Sequence, residues 1–326
     1  MPDEINLQYT TIKTPLPDFI YEGLKHYSAG ANTYRPQPPE LIEKLAKKHH
    51  VPREMVYLTA GTDETIQIFA LAYGSNAYVF TPTYSVYKDV EEFGGKLTRI
   101  NVVKNDQYVI PTGKIADASL IYLANPNNPS GFTSKEKVIE LIENNSQAIV
   151  CVDEAYSEFA PELSVMDQVQ KYSHLAVFRS FSKDYAMAGN RIGYFVAHPN
   201  IINVVKNKTQ WANVSYLSVG AAMVVLDHEA YFKEIREDLN SRREDLAKFL
   251  EEKGFALLPS RINAVLITFS SKEKGTRFAE FLKQNHFVIS HGNGNSNIGL
   301  DESFVRISIG TEEQLTVLKK VVADYK

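Results

Sequence analysis

The sequence predicts an α/β protein with a large unit on a mostly parallel sheet covered by helices on both faces, a smaller C-terminal α/β unit and an N-terminal arm. Two patterns carry that prediction. Over residues 39–197 short apolar runs alternate with segments of helical periodicity. Strands that alternate with helices are joined by crossovers, which makes the sheet mostly parallel and buries it on both sides. Near residue 216 a long charged amphipathic segment breaks the rhythm before strands and helices resume. The expected division is an arm over 1–30, a large ligand-binding domain over 31–220 and a small domain over 221–326.

Prolines at Pro15 and Pro17 punctuate the arm, and a short helix is expected over about 19–26. With so little periodicity of its own, the arm is expected to pack on the rest of the chain. Beyond Pro39 the spacing predicts helix 40–49, strand 55–58, helix 63–73, strand 77–80, helix 84–93 and strand 97–102. The series continues with strand 120–124, helix 134–143 and strands 148–152, 175–179 and 192–197. The charged segment 216–253, strand 264–269, helix 272–284, strand 304–309 and helix 312–324 make up the remainder. The stretch His291-Gly292-Asn293-Gly294-Asn295-Ser296-Asn297 reads as a mobile loop; it lacks the spacing of a dinucleotide fingerprint and opens no helix.

A chain of 326 residues, 44% of them hydrophobic, can fill more than one core. Its net charge is −4 with Lys and Arg scattered, so no footprint for nucleic acid or an anionic membrane is present. No stretch approaches the ~18 apolar residues of a membrane span. The opening Met1-Pro2-Asp3-Glu4 has neither a basic start nor an apolar run, and a soluble, unprocessed, cytoplasmic protein is expected. The single Cys151 lies inside an apolar run, where a thiol acts as a small hydrophobe, in keeping with a reducing compartment. Small molecules and a second protein chain are the expected partners, and no metal site is predicted.

In such a sheet, ligands sit beyond the carboxyl ends of the strands. Strand 120–124 is followed by Asn125-Pro126-Asn127-Asn128-Pro129-Ser130-Gly131, and strand 148–152 by Asp153-Glu154-Ala155-Tyr156. Strand 175–179 is followed by Ser180-Phe181-Ser182-Lys183, with Arg191 eight residues past the lysine. Taken singly these have bland roles: a surface lysine, a helix-capping Asp153, an Asn-Pro-Ser-Gly turn, or a Gly-Thr-Asp-Glu capping sequence. Their joint order and spacing resemble the fold-type I, class I/II aminotransferases over nearly the whole chain, most closely the histidinol-phosphate aminotransferases.

The resemblance implies pyridoxal 5'-phosphate held as a Schiff base on Lys183, whose freed amine then carries the substrate proton. It implies Asp153 at the pyridinium nitrogen, Asn128 and Tyr156 as donors to the phenolic oxygen, and Tyr84 stacked on the ring. Ser180, Ser182, Arg191 and the turn Gly61-Thr62-Asp63 at a helix N-terminus would take the phosphate. Arg306 shares a strand face with Ser308, opposite Val305, Ile307 and Ile309. By the resemblance it takes the substrate α-carboxylate bidentately, beside Asn128. Tyr34 would reach the cofactor phosphate of a neighbouring subunit, which implies a homodimer with shared active sites. The implied activity moves an amino group between an amino acid, or histidinol phosphate, and a 2-oxo acid.

Two places depart from the pattern. Ile12-Lys13-Thr14-Pro15 stands where these enzymes usually carry Asn-Glu-Asn-Pro, and His291 stands about where an arginine usually holds the substrate phosphate. An imidazole supplies no fixed bidentate charge. A phosphorylated substrate is therefore expected to lose its advantage, unless Arg35 beside Tyr34 supplies the charge from the other chain. Other classes fit less well. Ser180-Phe181-Ser182-Lys183 also spells the Ser-x-x-Lys of penicillin-recognising hydrolases, but their Ser-Asp-Asn and Lys-Thr-Gly partners are absent. A cofactor-binding sensor domain would need a DNA-binding helix-turn-helix, for which there is no room before Pro39. A decarboxylase such as threonine-phosphate decarboxylase, a β-eliminating lyase or an amine-oxidising relative uses the same residues and stays open.

Overall fold

The computed structural model describes residues 4–104, 107–294 and 296–325; Met1, Pro2, Asp3 and Asn295 of the segments above lie outside them. Seven strands form the large sheet: β1 (Val56–Thr59), β2 (Asn76–Thr81), β3 (Lys96–Asn101), β4 (Leu120–Ala124), β5 (Ile149–Asp153), β6 (Leu175–Ser180) and β7 (Gly193–Ala197). Their order is β1-β7-β6-β5-β4-β2-β3, and all share one direction except β7, which runs antiparallel to β6 and β1. A second, antiparallel sheet holds β8 (Ala256–Leu258), β9 (Ala264–Thr268), β10 (Ser290–His291) and β11 (Phe304–Ser308) in the order β8-β9-β11-β10. The longer helices are α1 (Asp18–Ser28), α2 (Pro39–His49), α3 (Thr62–Tyr73), α4 (Lys135–Asn144), α5 (Pro199–Val205), α6 (Tyr216–Asp227), α7 (Glu229–Glu252), α8 (Lys272–Gln284) and α9 (Glu312–Ala323).

The two-residue period of a strand lets the large sheet serve two cores. Ile121, Leu123, Val150, Val152 and Val177 face the layer formed with α2, α4 and α6. Leu120, Tyr122, Cys151, Ala176 and Phe178 face the layer formed with α3 and α5. Burial on both faces explains why these strands read as unbroken apolar runs. In the second core, Val265, Ile267, Val305 and Ile307 pack with Leu239 and Leu246 of α7 and with Leu315 and Leu318 of α9. The arm is built into that core through Leu7 and Ile12, and Ile5–Asn6 pairs in parallel with Phe287–Val288.

Two expected elements change. In place of a helix over 84–93, Thr83–Tyr84 pairs with Asn297–Ile298, Ser85–Lys88 is a 3-10 turn and only Asp89–Glu92 is α-helical. The pairing, extended by Ser85 N–H donating to the Ser296 carbonyl, holds the chain open against its local preference. It also ties down the end of the Gly/Asn-rich stretch, where Asn297 is buried, while His291 at its other end lies in β10. The segment over 216–253 is two helices that meet at His228. Of these, α6 is apolar and packs against α1, and only α7 is charged and amphipathic.

Candidate active site

The carboxyl ends of β4, β5 and β6 are level: Asp153 lies opposite Ala124 on one side and Phe178 on the other. β7 starts at the same edge, with Gly193 paired to Ser180 and to Thr59. The segments after β1, β4, β5 and β6 and the one before β7 therefore meet. They surround a cavity of about 100 Å³ walled by Thr62, Asp63, Tyr84, Asn128, Asp153, Tyr156, Ser180, Ser182, Lys183 and Arg191.

Lys183 sits on the one-turn helix Phe181–Asp184, whose N-cap Ser180 accepts from the Ser182 N–H. Its Nζ donates to Thr10 Oγ1 at 3.2 Å and lies 5.8 Å from the centre of the Tyr156 ring. Burial, and then the nearby Arg306 and Arg191 charges, push its pKa down to about 8, so a useful share of it is neutral amine near neutral pH. The Tyr156 hydroxyl lies 2.7 Å from Thr10 Oγ1, and burial pushes its pKa up to about 12, which keeps it a donor. Asp153 Oδ2 accepts from Tyr87 OH at 2.8 Å and Oδ1 from the Ala155 N–H at 3.0 Å. Burial pushes this carboxyl up to about 6. No cation among the described residues is paired with it, so a buried acceptor stands ready for a positively charged ring.

At the other end of the cavity α3 begins at Gly61, whose φ of +89° is open to glycine. A Cβ there would lie 2.7 Å from Arg191 Nη2, so the bare backbone lets the guanidinium lie against the start of α3. Arg191 Nη2 is 2.9 Å from Asp63 Oδ2, and Asp63 Oδ1 accepts from Tyr84 OH at 2.9 Å. The Asp63 carboxylate thus orients Arg191 and Tyr84. The turn is left to meet an anion through its backbone N–H groups and the helix dipole.

Arg306 on β11 is buried and approaches Asn128 from the second sheet. Its Nη1 donates to Asn128 Oδ1 at 2.5 Å and Asn297 Oδ1 at 3.1 Å, and its Nη2 to the Gln8 carbonyl at 2.7 Å. Nε has no partner and no carboxylate is paired with the guanidinium among the described residues. With Oδ1 so engaged, the Asn128 amide NH2 is the group left to donate. The donor set fits pyridoxal phosphate: a buried carboxylate for a protonated ring nitrogen, an amide and a hydroxyl for a phenolate, an amine for an aldehyde, and an arginine at a helix N-terminus for a phosphate.

Two singled-out residues are not brought here. Tyr34 is 80% exposed, with its ring 5.8 Å from that of Trp211, and the neighbouring Arg35 lies over the Tyr216 ring. His291, expected near the substrate phosphate, contacts the Glu302 carbonyl and lines a separate groove beside Glu4 and Lys283. The small-sheet edge turns it away. Three residues of the site carried no usable signal alone: Thr10 and Asn297, in segments without periodicity, and Tyr87, one tyrosine among 18. The signal that could have found Tyr87 is its three-residue spacing from Tyr84, with which it lines the cavity.

The profile of the family aminotransferase class I and II matches residues 5–322. The histidinol-phosphate aminotransferase of Thermotoga sp. (strain RQ2) is 32% identical over 320 residues, covering 96% of this chain and 91% of that protein. Two solved structures share the fold. The histidinol-phosphate aminotransferase from Clostridium acetobutylicum has a TM-score of 0.87 at 23% identity over 97% of each chain. The L-threonine-O-3-phosphate decarboxylase from Porphyromonas gingivalis has a TM-score of 0.87 at 22% identity, over 98% of this chain and 99% of that one. The profile match spans the strands that build the cavity, the arm and the second sheet, and the chain belongs to the class I and II aminotransferase family, as a pyridoxal-phosphate-dependent aminotransferase.

Proposed function

We propose that the protein transfers an amino group between an amino acid or histidinol phosphate and a 2-oxo acid, with Lys183 as the catalytic amine. The observation that carries this is the position of Lys183 Nζ, desolvated and held by Thr10 in the cavity that Asp153, Asn128 and Tyr156 also line. When bound, pyridoxal phosphate supplies an electrophilic carbon and a protonated ring that accepts the electron pair of a broken Cα bond. Lys183 Nζ would hold that carbon until the substrate amine displaces it, and the freed Lys183 amine would then be the base that carries the Cα proton. Asp153 keeps the ring nitrogen protonated, because a carboxylate without another cationic partner in a buried setting favours the charged ring. Asn128 Nδ2 and Tyr156 OH hold the phenolic oxygen, with Thr10 fixing both Tyr156 and the lysine. Tyr84 covers the ring. Ser180, Ser182, Arg191 and the backbone of Gly61, Thr62 and Asp63 hold the phosphate. Arg306 fixes the α-carboxylate, and with it the orientation of the Cα–H bond.

The exposed Tyr34 supports a homodimer in which this tyrosine reaches the partner's site. The buried, free Cys151 suits a cytoplasmic setting. The test is a spectral half-reaction: an amino donor bleaches the lysine-bound absorbance band and a 2-oxo acid restores it. A panel of glutamate, aromatic amino acids, arginine and histidinol phosphate ranks donors, with glutamate expected among those accepted. Lys183→Ala is expected to lose the borohydride-reducible band. A variant that keeps it puts the attachment elsewhere, and release of carbon dioxide without restoration by a 2-oxo acid would make the enzyme a decarboxylase.

A further inference from the structure

The arm crosses the substrate side of the site in a fixed order. The Gln8 carbonyl accepts from Arg306, Thr10 Oγ1 meets Tyr156 and Lys183, the Thr10 carbonyl accepts from Asn263 Nδ2, and Ile12 is anchored in the second core. Lys13 follows, half-buried, with Nζ donating to Thr11 Oγ1 at 3.1 Å. Three arginines around the site are paired: Arg191 with Asp63, Arg179 with Glu154 and Glu158, Arg236 with Glu229. Among the described residues Lys13 has no carboxylate within ion-pair distance, a condition it shares with Arg306 and with Lys183, whose amine is assigned to the reacting carbon.

We propose that Lys13 recognises a second anion, a carboxylate or phosphate, at the end of the substrate remote from the reacting carbon. This rests on the aminotransferase reading above. The proposed partners of the site already account for the other charges: Asp153 with the ring, Arg191 with the cofactor phosphate, Arg306 with the α-carboxylate. An ammonium left over beside Lys183 is unfavourable in the free enzyme, since burial and then the Lys183 charge both push its pKa down. A substrate anion offsets both by favouring the charged ammonium. His291 does not compete for the role, because its ring is engaged at Glu302 outside the cavity.

The test compares matched donors on the holoenzyme, anionic against neutral: glutamate with glutamine for a carboxylate, histidinol phosphate with histidinol for a phosphate. Lys13→Met is expected to lower kcat/KM for the anionic member of at least one pair by about tenfold, with the neutral member within about twofold. Lys13→Arg is expected to retain most of the preference. The pair that responds identifies the anion. Loss shared equally by both members of each pair, or together with cofactor affinity, overturns the proposal and makes Lys13 structural or a cofactor contact. Binding gives a readout independent of turnover: the anions glutarate and inorganic phosphate, followed by their perturbation of the cofactor spectrum. At least one is expected to bind about tenfold more weakly to Lys13→Met. Unchanged affinity for both overturns the proposal even where transamination stands. A wild-type enzyme that transaminates nothing but shows the binding difference refutes the aminotransferase reading alone.

Discussion

Replacing Gly61 by alanine separates two contributions that meet at one atom. The residue sits at φ +89° and ψ 172°, a region essentially closed to other residues, so alanine there costs about 1–3 kcal/mol of folded-state strain. The new Cβ would lie 2.7 Å from Arg191 Nη2 and 3.1 Å from its Cζ. These atoms end a flexible side chain that is about half exposed, so the guanidinium moves while the sheet stays in place. Its ion pair with Asp63 is similarly exposed and adds little to stability. The stability loss therefore reports strain, and the affinity loss reports the displaced Arg191 together with any shift of the Gly61 backbone N–H. A hydrogen bond to a charged group is worth about 1.5–3 kcal/mol, so cofactor affinity is expected to fall by roughly ten- to a hundredfold. Melting of the apoenzyme and titration with pyridoxal phosphate measure the two separately. Arg191→Met is expected to reproduce the affinity loss without the strain. Unchanged affinity in Gly61→Ala, with stability lowered, would show that Arg191 does not hold the phosphate.

Asp153→Asn is expected to retain cofactor yet lose orders of magnitude in turnover, since each unit of ring basicity lost is worth about 1.4 kcal/mol, a factor of about ten; near-normal turnover would sink the role assigned to Asp153. Arg306→Lys is expected to weaken amino acids far more than amines lacking a carboxylate, because a lysine cannot reproduce the two-pronged contact. Equal losses for both would place the carboxylate elsewhere. For pH, the folded-state pKa of Lys183 is lowered from 10.5 to about 8, so between these values the unfolded chain binds more protons. The unfolding free energy of the apoenzyme, relative to Lys183→Met, is therefore expected to rise from pH 8 towards 10.5 in denaturant titrations. A difference that stays flat over that range means the lysine is not desolvated as its surroundings indicate.

What could be read in advance follows from how far each feature reaches along the chain. The inner strands β4, β5 and β6 are buried on both faces, so each announces itself by a local apolar run, and the parallel order makes the residues just beyond those runs converge. That Lys183, Asp153 and Asn128 meet at one cavity was legible for that reason. The Tyr84 segment was not, because its conformation is imposed by pairing with Asn297–Ile298, more than two hundred residues later. His291 was misplaced for a related reason. Its position in β10 depends on pairing with Val305, and a shift of one residue in such an edge turns a side chain to the opposite face.

The arm shows the same limit where it matters most for specificity. Nothing periodic marks residues 5–13, yet Ile5 and Leu7 donate to the His286 and Val288 carbonyls, and the Leu7 carbonyl accepts from Ser308. These bonds append the arm beside the second sheet and bring Thr10 to Lys183 and Tyr156. The side chains proposed to bind the cofactor within one chain flank strands of the large sheet, whose register fixes them. Those proposed to read the substrate, Arg306 and Lys13, are carried by the second sheet and the strand appended beside it. Substrate choice can therefore change through a few arm residues while the cofactor site stays intact, which places the informative departure at Ile12-Lys13-Thr14-Pro15.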